Sequence, residues 1–525
     1  MAILCLIPQY MLWELQTVLT DSLDFSTTTA ASIVNVYVGF KGIFGILGAI
    51  AVDAYFTDYG MIFIASVFYS VGLVVLSIGL SKLAYTSKYV VVCGLIPIAV
   101  AKYSLMNSLD ALLLDSMKER TKIVTKVAFN VAITMVFALL PGADSSPRDF
   151  VISSTAMLLV SGLSLVNLIR NSTVKLRSDR RNPLKYVVRV YFAAFVKRRG
   201  PSPEADKLYC GEPDYPLEHT SALGFLDKAA VKETSNPEEE RKNWLCTVTE
   251  VEETKCLVRM FPICTTFLAY GMVKSIGDTF FLDQGSNMDA TIGQDDTEIP
   301  IQVFWFLQEF TRSVTITLYN VLISKKWPAT GKRYSPAIEY AMGMVLLSLC
   351  CSVASWVEME VYETSDTKHR ISVFWLTPQF LIYGAMGGLA GEGIQDFFSG
   401  QLPPSMTQYA EAFADGITGA GSFFAIFLVF ITKTAFRWFE EDEDKHFKLY
   451  KFYHFCTVVG ITIFFAYAWA AVRYNYRDNT ETKAKRRSGV DDENDQESES
   501  NQHKYLSQKS LHRRRSFSHQ SLNVV

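Results

Sequence analysis

The sequence lacks the short motifs by which many enzymes are recognised. None of HExxH, GxxxxGK[ST] or GxSxG occurs in its 525 residues, so zinc peptidase, nucleotide-driven and serine hydrolase chemistry have no support. An excess of basic charge is also missing, because 50 Lys and Arg stand against 53 Asp and Glu, for a net charge of −3. Nucleic acids are therefore not predicted partners.

Cysteine pairs and a cleavable leader are missing as well. The nine cysteines include no CxxC spacing, so we predict reduced thiols, no disulfide framework, no metal site and no cofactor. Met1 is not followed by the basic segment that begins a signal peptide. The first apolar segment would then have to direct the chain to a membrane.

Long apolar segments are what the chain has in abundance. A segment of roughly 20 residues crosses the hydrocarbon of a bilayer as a helix, and twelve segments reach about that length. Backbone groups in lipid must be satisfied internally, and these segments do not alternate in polarity as barrel strands do, so we predict helices. The predicted spans are 1–20, 29–52, 60–81, 88–116, 122–141, 149–170, 255–283, 300–324, 335–361, 371–399, 408–434 and 447–473.

The twelve spans fall into two groups of six around one long charged loop. We predict an all-α membrane protein with two six-helix bundles, at 1–170 and 255–473. A cytoplasmic loop at 171–254 joins them, and a disordered cytoplasmic tail at 474–525 follows. Paired bundles of this kind place a binding cavity near the middle of the membrane. Within the loop, residues 182–199 are predicted to form an amphipathic helix on the membrane face.

Basic residues near the span ends predict the orientation. They cluster after the fourth, sixth and eighth spans and in the tail, whereas the loop after the seventh span is acidic. Both termini are therefore expected in the cytoplasm, with the chain in the plasma or the vacuolar membrane.

Several ionisable side chains fall inside the spans, where charges are costly and usually line a cavity or pair with one another. They are Lys41, Lys102, Asp110, Lys274, Asp278, Glu309, Arg312, Glu392, Asp396, Glu411 and Asp415. Some of them lie nearer the span ends, where snorkelling to the membrane interface is the expected behaviour. These are Lys41, Asp396, Glu411 and Asp415.

Two sets of these charges can pair along one helix. Lys274 and Asp278 are four residues apart, and Glu309 and Arg312 are three apart, so each pair shares a helix face. In a proton-coupled carrier, a carboxylate released from its cation by a proton changes the relative stability of the gated states. The alternative is that each pair is structural and only fixes the rotation of its helix.

Three long stretches carry a resemblance to a known family. PLEHTSALGFLDKAAV begins at Pro216, NWLCTVTEVEETK ends at Lys255, and QDFFSGQLPPSM begins at Gln395. In order and spacing they resemble the plant nitrate/peptide transporter family, a branch of the proton-coupled oligopeptide transporters. The resemblance extends to Arg477 and implies a major-facilitator fold with proton-driven uptake of nitrate, peptides, hormones or glycosides.

The same resemblance identifies departures from the family pattern. The charged positions of the family's ExxER proton-coupling motif fall on Met1, Leu4 and Cys5, so either the motif has been lost or the chain begins late. In the tenth span Gly387 stands where the family has a glutamate. Glu392 follows five residues later and would face elsewhere on a regular helix.

Matching the family residue by residue gives the candidate site. Lys102 stands at a family lysine, Asn130 remains from an FFNWW pattern, and Lys274 occupies the place of a substrate-binding histidine. The predicted substrate-binding residues are Lys102, Lys274, Asp278 and Asn130. The predicted proton-coupling residues are Glu392, Asp278, Glu309 and Arg312.

The resulting hypothesis is a secondary active transporter of a small anionic solute, with the bilayer, the solute and protons as partners. Lys102 and Lys274 are expected to give the cavity a positive bias. The alternative is a non-transporting relative that acts as a sensor or a partner of another membrane protein. The missing ExxER motif and the missing glutamate of the tenth span favour it. The run of arginines before Ser516 also suits a kinase, or equally the anionic lipid of a membrane.

Overall fold

The computed structural model describes most of the apolar part of the chain. The described residues are 15–21, 23, 25–55, 58–80, 87–114, 155, 158–163, 165–166, 183–199, 208–209, 220, 222–231, 245–286, 288–292, 297–299, 301–324, 332–364, 370–436, 438 and 448–476. Within them, eight helices are long and apolar enough to cross a membrane. The protein is thus a multi-helix bundle, as predicted, while the total of twelve spans stays a prediction.

The helices of the first half follow the predicted spans where they are described. They are α1 Leu15–Asp21, α2 Thr27–Tyr55, α3 Asp58–Leu80 and α4 Ser87–Leu114. The fifth predicted span, most of the first and sixth, Asn130, the three ExxER positions and the tail with Ser516 lie outside the described residues.

The second half contains helices at all six predicted spans. Its elements and those of the preceding loop are α5 Pro183–Val196, α6 Gly224–Asp227, α7 Val248–Ser286, α8 Gln302–Leu318, α9 Ser335–Thr364, α10 Val373–Gln401, α11 Ala410–Ala435 and α12 Leu449–Arg473. A two-residue antiparallel hairpin follows α7, with β1 Thr291–Ile292 paired to β2 Thr297–Glu298. The helix predicted within the loop at 182–199 is present as α5 and a short 3-10 turn, Lys197–Arg199.

Two of the long helices are locally widened. α8 continues into a π-helical turn, Tyr319–Ser324, and α10 contains another, Gly387–Gly391, between two regular α-helical stretches. A π turn adds one residue to a helical turn and often occurs at functional sites. In α10 it changes which side chains share a face.

The two halves of the chain meet where α2 crosses α11. A Cβ atom added at Gly42 would lie 2.9 Å from the Cα of Gly419, and the ring of Phe40 packs edge-on against that of Phe423. Small residues let membrane helices approach until their backbones touch. This close crossing sets the position of the first-half helices against the second half.

A buried ionic network fixes the start of α7 to the loop that precedes it. Lys255 is completely buried, and its ammonium lies 2.6 Å from Asp227 and 2.8 Å from Glu252. It also donates to the backbone carbonyl of Thr220 at 2.6 Å. A buried charge is tolerated only when it is paired and hydrogen-bonded, and here one lysine neutralises acids from two elements.

Two further acidic residues near the start of α7 contact α5 and the turn after α10. Glu250 pairs with Arg189 of α5. Glu253 accepts a hydrogen bond from Ser405 at 2.8 Å, and that hydroxyl also bonds with Tyr186 of α5 at 2.9 Å. Burial and the nearby Glu253 raise the pKa of the Tyr186 phenol, so it stays protonated and able to donate. α5 is thereby tied to two membrane helices.

Candidate functional site

A cavity of about 200 Å³ lies between α7, α8, α10 and α11. Its lining combines aromatic, glycine and amide groups with several charged side chains. The charged members are Lys274, Glu309, Arg312, Glu392, Glu411 and Asp415. All come from the apolar spans, so this is a polar, water-accessible volume enclosed by membrane helices.

The Lys274–Asp278 pair stands on one wall of the cavity. The ammonium and carboxylate are 3.1 Å apart, with 36% of the lysine side chain and 28% of the aspartate side chain exposed. The Tyr383 hydroxyl of α10 donates to Asp278 at 2.6 Å and also lies 2.8 Å from the backbone carbonyl of Lys274. The expected ion pair is present, and a tyrosine links it to α10.

Arg312 bridges two helices across the cavity. Its guanidinium lies 3.5 Å from Glu309, one turn earlier on α8, and 3.4 Å from Glu392 on α10. The Glu309–Arg312 pair was predicted from its spacing, whereas the contact with Glu392 joins residues 80 positions apart. Because both contacts are long, the guanidinium is shared between two carboxylates rather than committed to one.

The expectation that Glu392 faces away from Gly387 is wrong. Both residues line the cavity. On a regular helix, residues five apart point in well-separated directions, but the π turn Gly387–Gly391 absorbs the extra residue. Gly391 also presses against the Tyr270 hydroxyl, which a Cβ would approach to 2.8 Å. The widened turn therefore brings Glu392 to the same cavity face as Gly387.

Two carboxylates that were expected to snorkel to the membrane interface lie at the cavity. Glu411 and Asp415 line the cavity from α11. Lys41 lies midway along α2 rather than near its end, and it interacts electrostatically with Asp415. The crossing of α2 and α11 brings Lys41 close to Asp415, because the backbone carbonyl of Asp415 lies against Gly42, the residue after Lys41. Asp396 is exposed near the end of α10.

Lys102 is not part of the cavity lining. Its ammonium lies 5.9 Å from the centre of the Tyr37 ring of α2. Its electrostatic partners include Lys41, Asp415 and Lys274, so it approaches the cavity region from the first half. The structure thus brings Lys274, Asp278, Glu309, Arg312 and Glu392 together, with Lys102 at their edge.

The expected positive bias of the cavity does not appear among the described residues. The lining has two basic side chains and four acidic ones. The acidic excess includes Glu411 and Asp415 of α11, which were expected near the membrane interface. The predicted positive charge of the cavity counted only Lys102 and Lys274. It omitted carboxylates that reach the cavity only through the packing of the helices.

Two tyrosines of the site were missed by the sequence reasoning. Tyr270 and Tyr383 line the cavity and are buried. Aromatic residues are so common in this chain that their composition gave no way to select them. A usable signal was the single-turn spacing between Tyr270 and Lys274, which places the phenol on the face of the predicted ion pair.

These features define a class of protein. A bundle of membrane-crossing helices that encloses a cavity lined with ion pairs is typical of a membrane transporter of small solutes.

Comparison with known proteins gives the family. A family profile, PTR2, described as the POT family, matches residues 150–443, more than half of the chain. The chain belongs to the POT family, and it is a multi-pass integral membrane transporter of small solutes rather than an enzyme. The predicted relationship to plant nitrate/peptide transporters is confirmed.

The relatives include two proteins of Arabidopsis thaliana. Protein NRT1/ PTR FAMILY 5.5 is 29% identical over 521 residues, covering 93% of this chain and 96% of the relative. Protein NRT1/ PTR FAMILY 5.6 is 27% identical, covering 83% of each. Among solved structures, an auto-inhibited POT family peptide transporter superposes with a TM-score of 0.61 at 14% identity, covering 91% of this chain and 96% of that one. That likeness shows the fold.

Proposed function

We propose that this chain is a secondary carrier that uses a proton gradient to move a small solute bearing both a positive and a negative charge. The observation behind the proposal is the cavity between α7, α8, α10 and α11, where basic and acidic side chains face one another. A cavity of this kind, enclosed by the helices of a POT family chain, suits alternating access to one bound solute.

The charge balance of the lining favours a solute with two charged ends. Lys274 and Arg312 supply positive charge, whereas Glu411 and Asp415 supply negative charge from α11. A bare anion such as nitrate would also face the carboxylates, and like charges repel strongly where the dielectric is low. A solved POT family transporter holds 5-aminolevulinic acid, which has an amino group and a carboxylate. Short peptides and amino-acid-like compounds fit this pattern.

Proton coupling is proposed to act through Arg312. A proton on Glu392 would remove its charge and leave the guanidinium to Glu309, so α10 would lose an ionic contact with α8. The relative stability of the two gated states would then depend on protonation. A solute carboxylate bound to Arg312 would compete for the same cation, which links solute binding to the proton.

The test is uptake into liposomes that contain the purified protein. With an inward proton gradient, a dipeptide should accumulate above its external concentration, and an uncoupler should abolish this accumulation. Accumulation of nitrate but not of the dipeptide would contradict the proposed solute class. Binding without any flux would indicate the sensor alternative, and flux without accumulation would indicate an uncoupled carrier.

The variant Glu392→Gln distinguishes a role of Glu392 in proton coupling from a role in solute binding. The amide keeps the size of the side chain but cannot exchange a proton, so proton-driven accumulation should fall by about tenfold or more, equivalent to at least about 1.4 kcal/mol. Counterflow exchange of solute between equal concentrations needs no net proton movement and should persist. The measurement is the ratio of accumulation to counterflow.

Glu363→Gln is the matched control, because Glu363 is an exposed glutamate near the end of α9. It should leave both fluxes unchanged. Equal loss of accumulation and counterflow in Glu392→Gln would mean that Glu392 serves solute binding or folding, and it would refute the coupling role.

A further inference from the structure

One buried carboxylate near the cavity is not used by the mechanism above. Glu339 lies in the second turn of α9, only 3% exposed, and its Oε2 atom has no hydrogen-bond partner among the described residues. An ionised carboxylate in such a place would carry the full cost of desolvation. The neutral acid avoids most of that cost, and it can also donate a hydrogen bond.

The charged side chains that interact with Glu339 are Glu392 and Asp396 of α10, and both are acidic. The phenol of Tyr319 from the end of α8 is also close enough to interact electrostatically, and Tyr467 of α12 donates to the backbone of Ala337 at 2.7 Å. None of these supplies a positive charge.

The basic residue nearest to Glu339 in sequence makes its contact with an aromatic ring. Arg333, in the turn before α9, lies over the ring of Tyr334 at 5.6 Å. A buried carboxylate whose charged neighbours, in the part of the chain that the structure describes, are acidic binds a proton rather than a salt-bridge partner.

Glu339 lies where α9 packs against α10. α9 and α10 touch here, since a Cβ added at Gly393 would lie 2.9 Å from the backbone nitrogen of Tyr340. Glu392, just before that glycine, lines the cavity, and Asp396, one turn later, is exposed. Glu339 therefore faces a stretch of α10 that has a cavity carboxylate at one end and an exposed carboxylate at the other.

We propose that Glu339 is a second proton-binding site of this transporter, occupied in the present conformation and located behind α10. The idea rests on the proposed proton coupling. When α9 and α10 separate and water enters, the acid O–H bond breaks, the proton passes to water or to the Asp396 carboxylate, and Glu339 becomes a carboxylate. Closure reverses the step, so the occupancy of Glu339 follows the contact between the two helices.

The experiment compares Glu339→Gln with Glu358→Gln in liposomes. Glu358 is the matched control, because it is also a buried glutamate of α9 with an unpartnered Oε2, yet the acid that acts on it is Asp283 rather than the α10 carboxylates. Glu339→Gln should lower proton-driven accumulation by about fivefold or more while counterflow stays within about twofold of the unmodified protein. Glu358→Gln should leave the ratio of the two fluxes unchanged.

A direct readout keeps the two proposals separate. Infrared spectroscopy of the full chain should show the carbonyl stretch of a protonated acid, and Glu339→Gln should remove part of that band. If the unmodified protein fails to accumulate solute, the proposed function falls and the infrared band alone decides whether Glu339 binds a proton. The second site would be overturned if Glu339→Gln left the infrared band unchanged. It would also be overturned if the unmodified protein accumulates solute and Glu339→Gln leaves the ratio of accumulation to counterflow unchanged.

Discussion

At the scale of single residues, Lys274 has two candidate roles, solute binding and neutralisation of Asp278. Its ammonium faces the cavity and also neutralises Asp278, 3.1 Å away on the same helix. More than a third of its side chain is exposed, so the pair is screened by water and contributes little to stability. That exposure leaves the lysine accessible to a bound solute, which favours the binding role over a structural one.

Lys274→Ala should abolish uptake while the protein still reaches the membrane. The expected loss is about tenfold or more, or at least about 1.4 kcal/mol of solute binding, because the variant removes one of two positive charges in the lining. Uptake of a labelled dipeptide, normalised to the surface amount of protein, is the measurement.

The double variant Lys274→Ala with Asp278→Ala distinguishes the two tasks. If the lysine only neutralises Asp278, removing both charges should restore uptake, since nothing unpaired is left. If the lysine binds solute, uptake should stay low. Recovery in the double variant would therefore count against Lys274 as a binding residue.

At the scale of elements, the start of α7 is held by ionic contacts that were not predicted from the sequence. Lys255, Asp227 and Glu252 lie within stretches that first served only to indicate the family. The structure gives them a physical task, since one completely buried lysine joins α6, α7 and the segment at Thr220. The loop between the halves thus includes a fixed support for α7.

Lys255→Met should destabilise the protein markedly. Removing one partner of a buried ionic network leaves uncompensated charge and costs about 3–5 kcal/mol. The expected result is a lower midpoint of thermal unfolding in detergent. Neutralising the acids as well, with Asp227→Asn and Glu252→Gln, should recover much of the loss.

Lys228→Met is the control for this variant. Lys228 bonds to the backbone carbonyl of Arg198 at an exposed position, so its loss should shift the midpoint little. A Lys255→Met protein that unfolds at the same temperature as the Lys228→Met protein would contradict the proposed support.

At the scale of the whole molecule, the proposed alternating access requires the two halves of the chain to move against each other. The halves meet where α2 crosses α11, and the rings of Phe40 and Phe423 are 5.4 Å apart there. By contrast, Ser275 of α7 and Ser422 of α11 form a hydrogen bond within the second half. One pair joins the first half of the chain to the second, and the other lies within the second half.

Cross-linking these two pairs tests the rocking of the halves. Cysteines at Phe40 and Phe423, joined by a short reducible reagent, should block uptake, and reduction should restore it. The same treatment of cysteines at Ser275 and Ser422 should leave most of the uptake, because both helices move together. Full uptake by the cross-linked Phe40–Phe423 pair would rule out motion at this crossing.

In α10, the extent of the helix could be predicted from the sequence, but the direction of one side chain could not. Its extent follows from apolar length, since the predicted span 371–399 matches the helix Val373–Gln401 closely. The direction of Glu392 does not follow, because it depends on the π turn at Gly387–Gly391. Periodicity assumes a regular helix, and one inserted residue per turn is enough to move a side chain to another face.

The sequence by itself determined that the chain enters a membrane, that its helices cover given spans, and that certain charges lie within them. These results depend on segment length and polarity, which are local properties. The tertiary structure decided which carboxylates share Arg312, that α11 contributes Glu411 and Asp415 to the cavity, and that Glu339 is buried beside the acidic stretch of α10. Such choices depend on how distant helices pack, and no local pattern specifies which faces of distant helices meet.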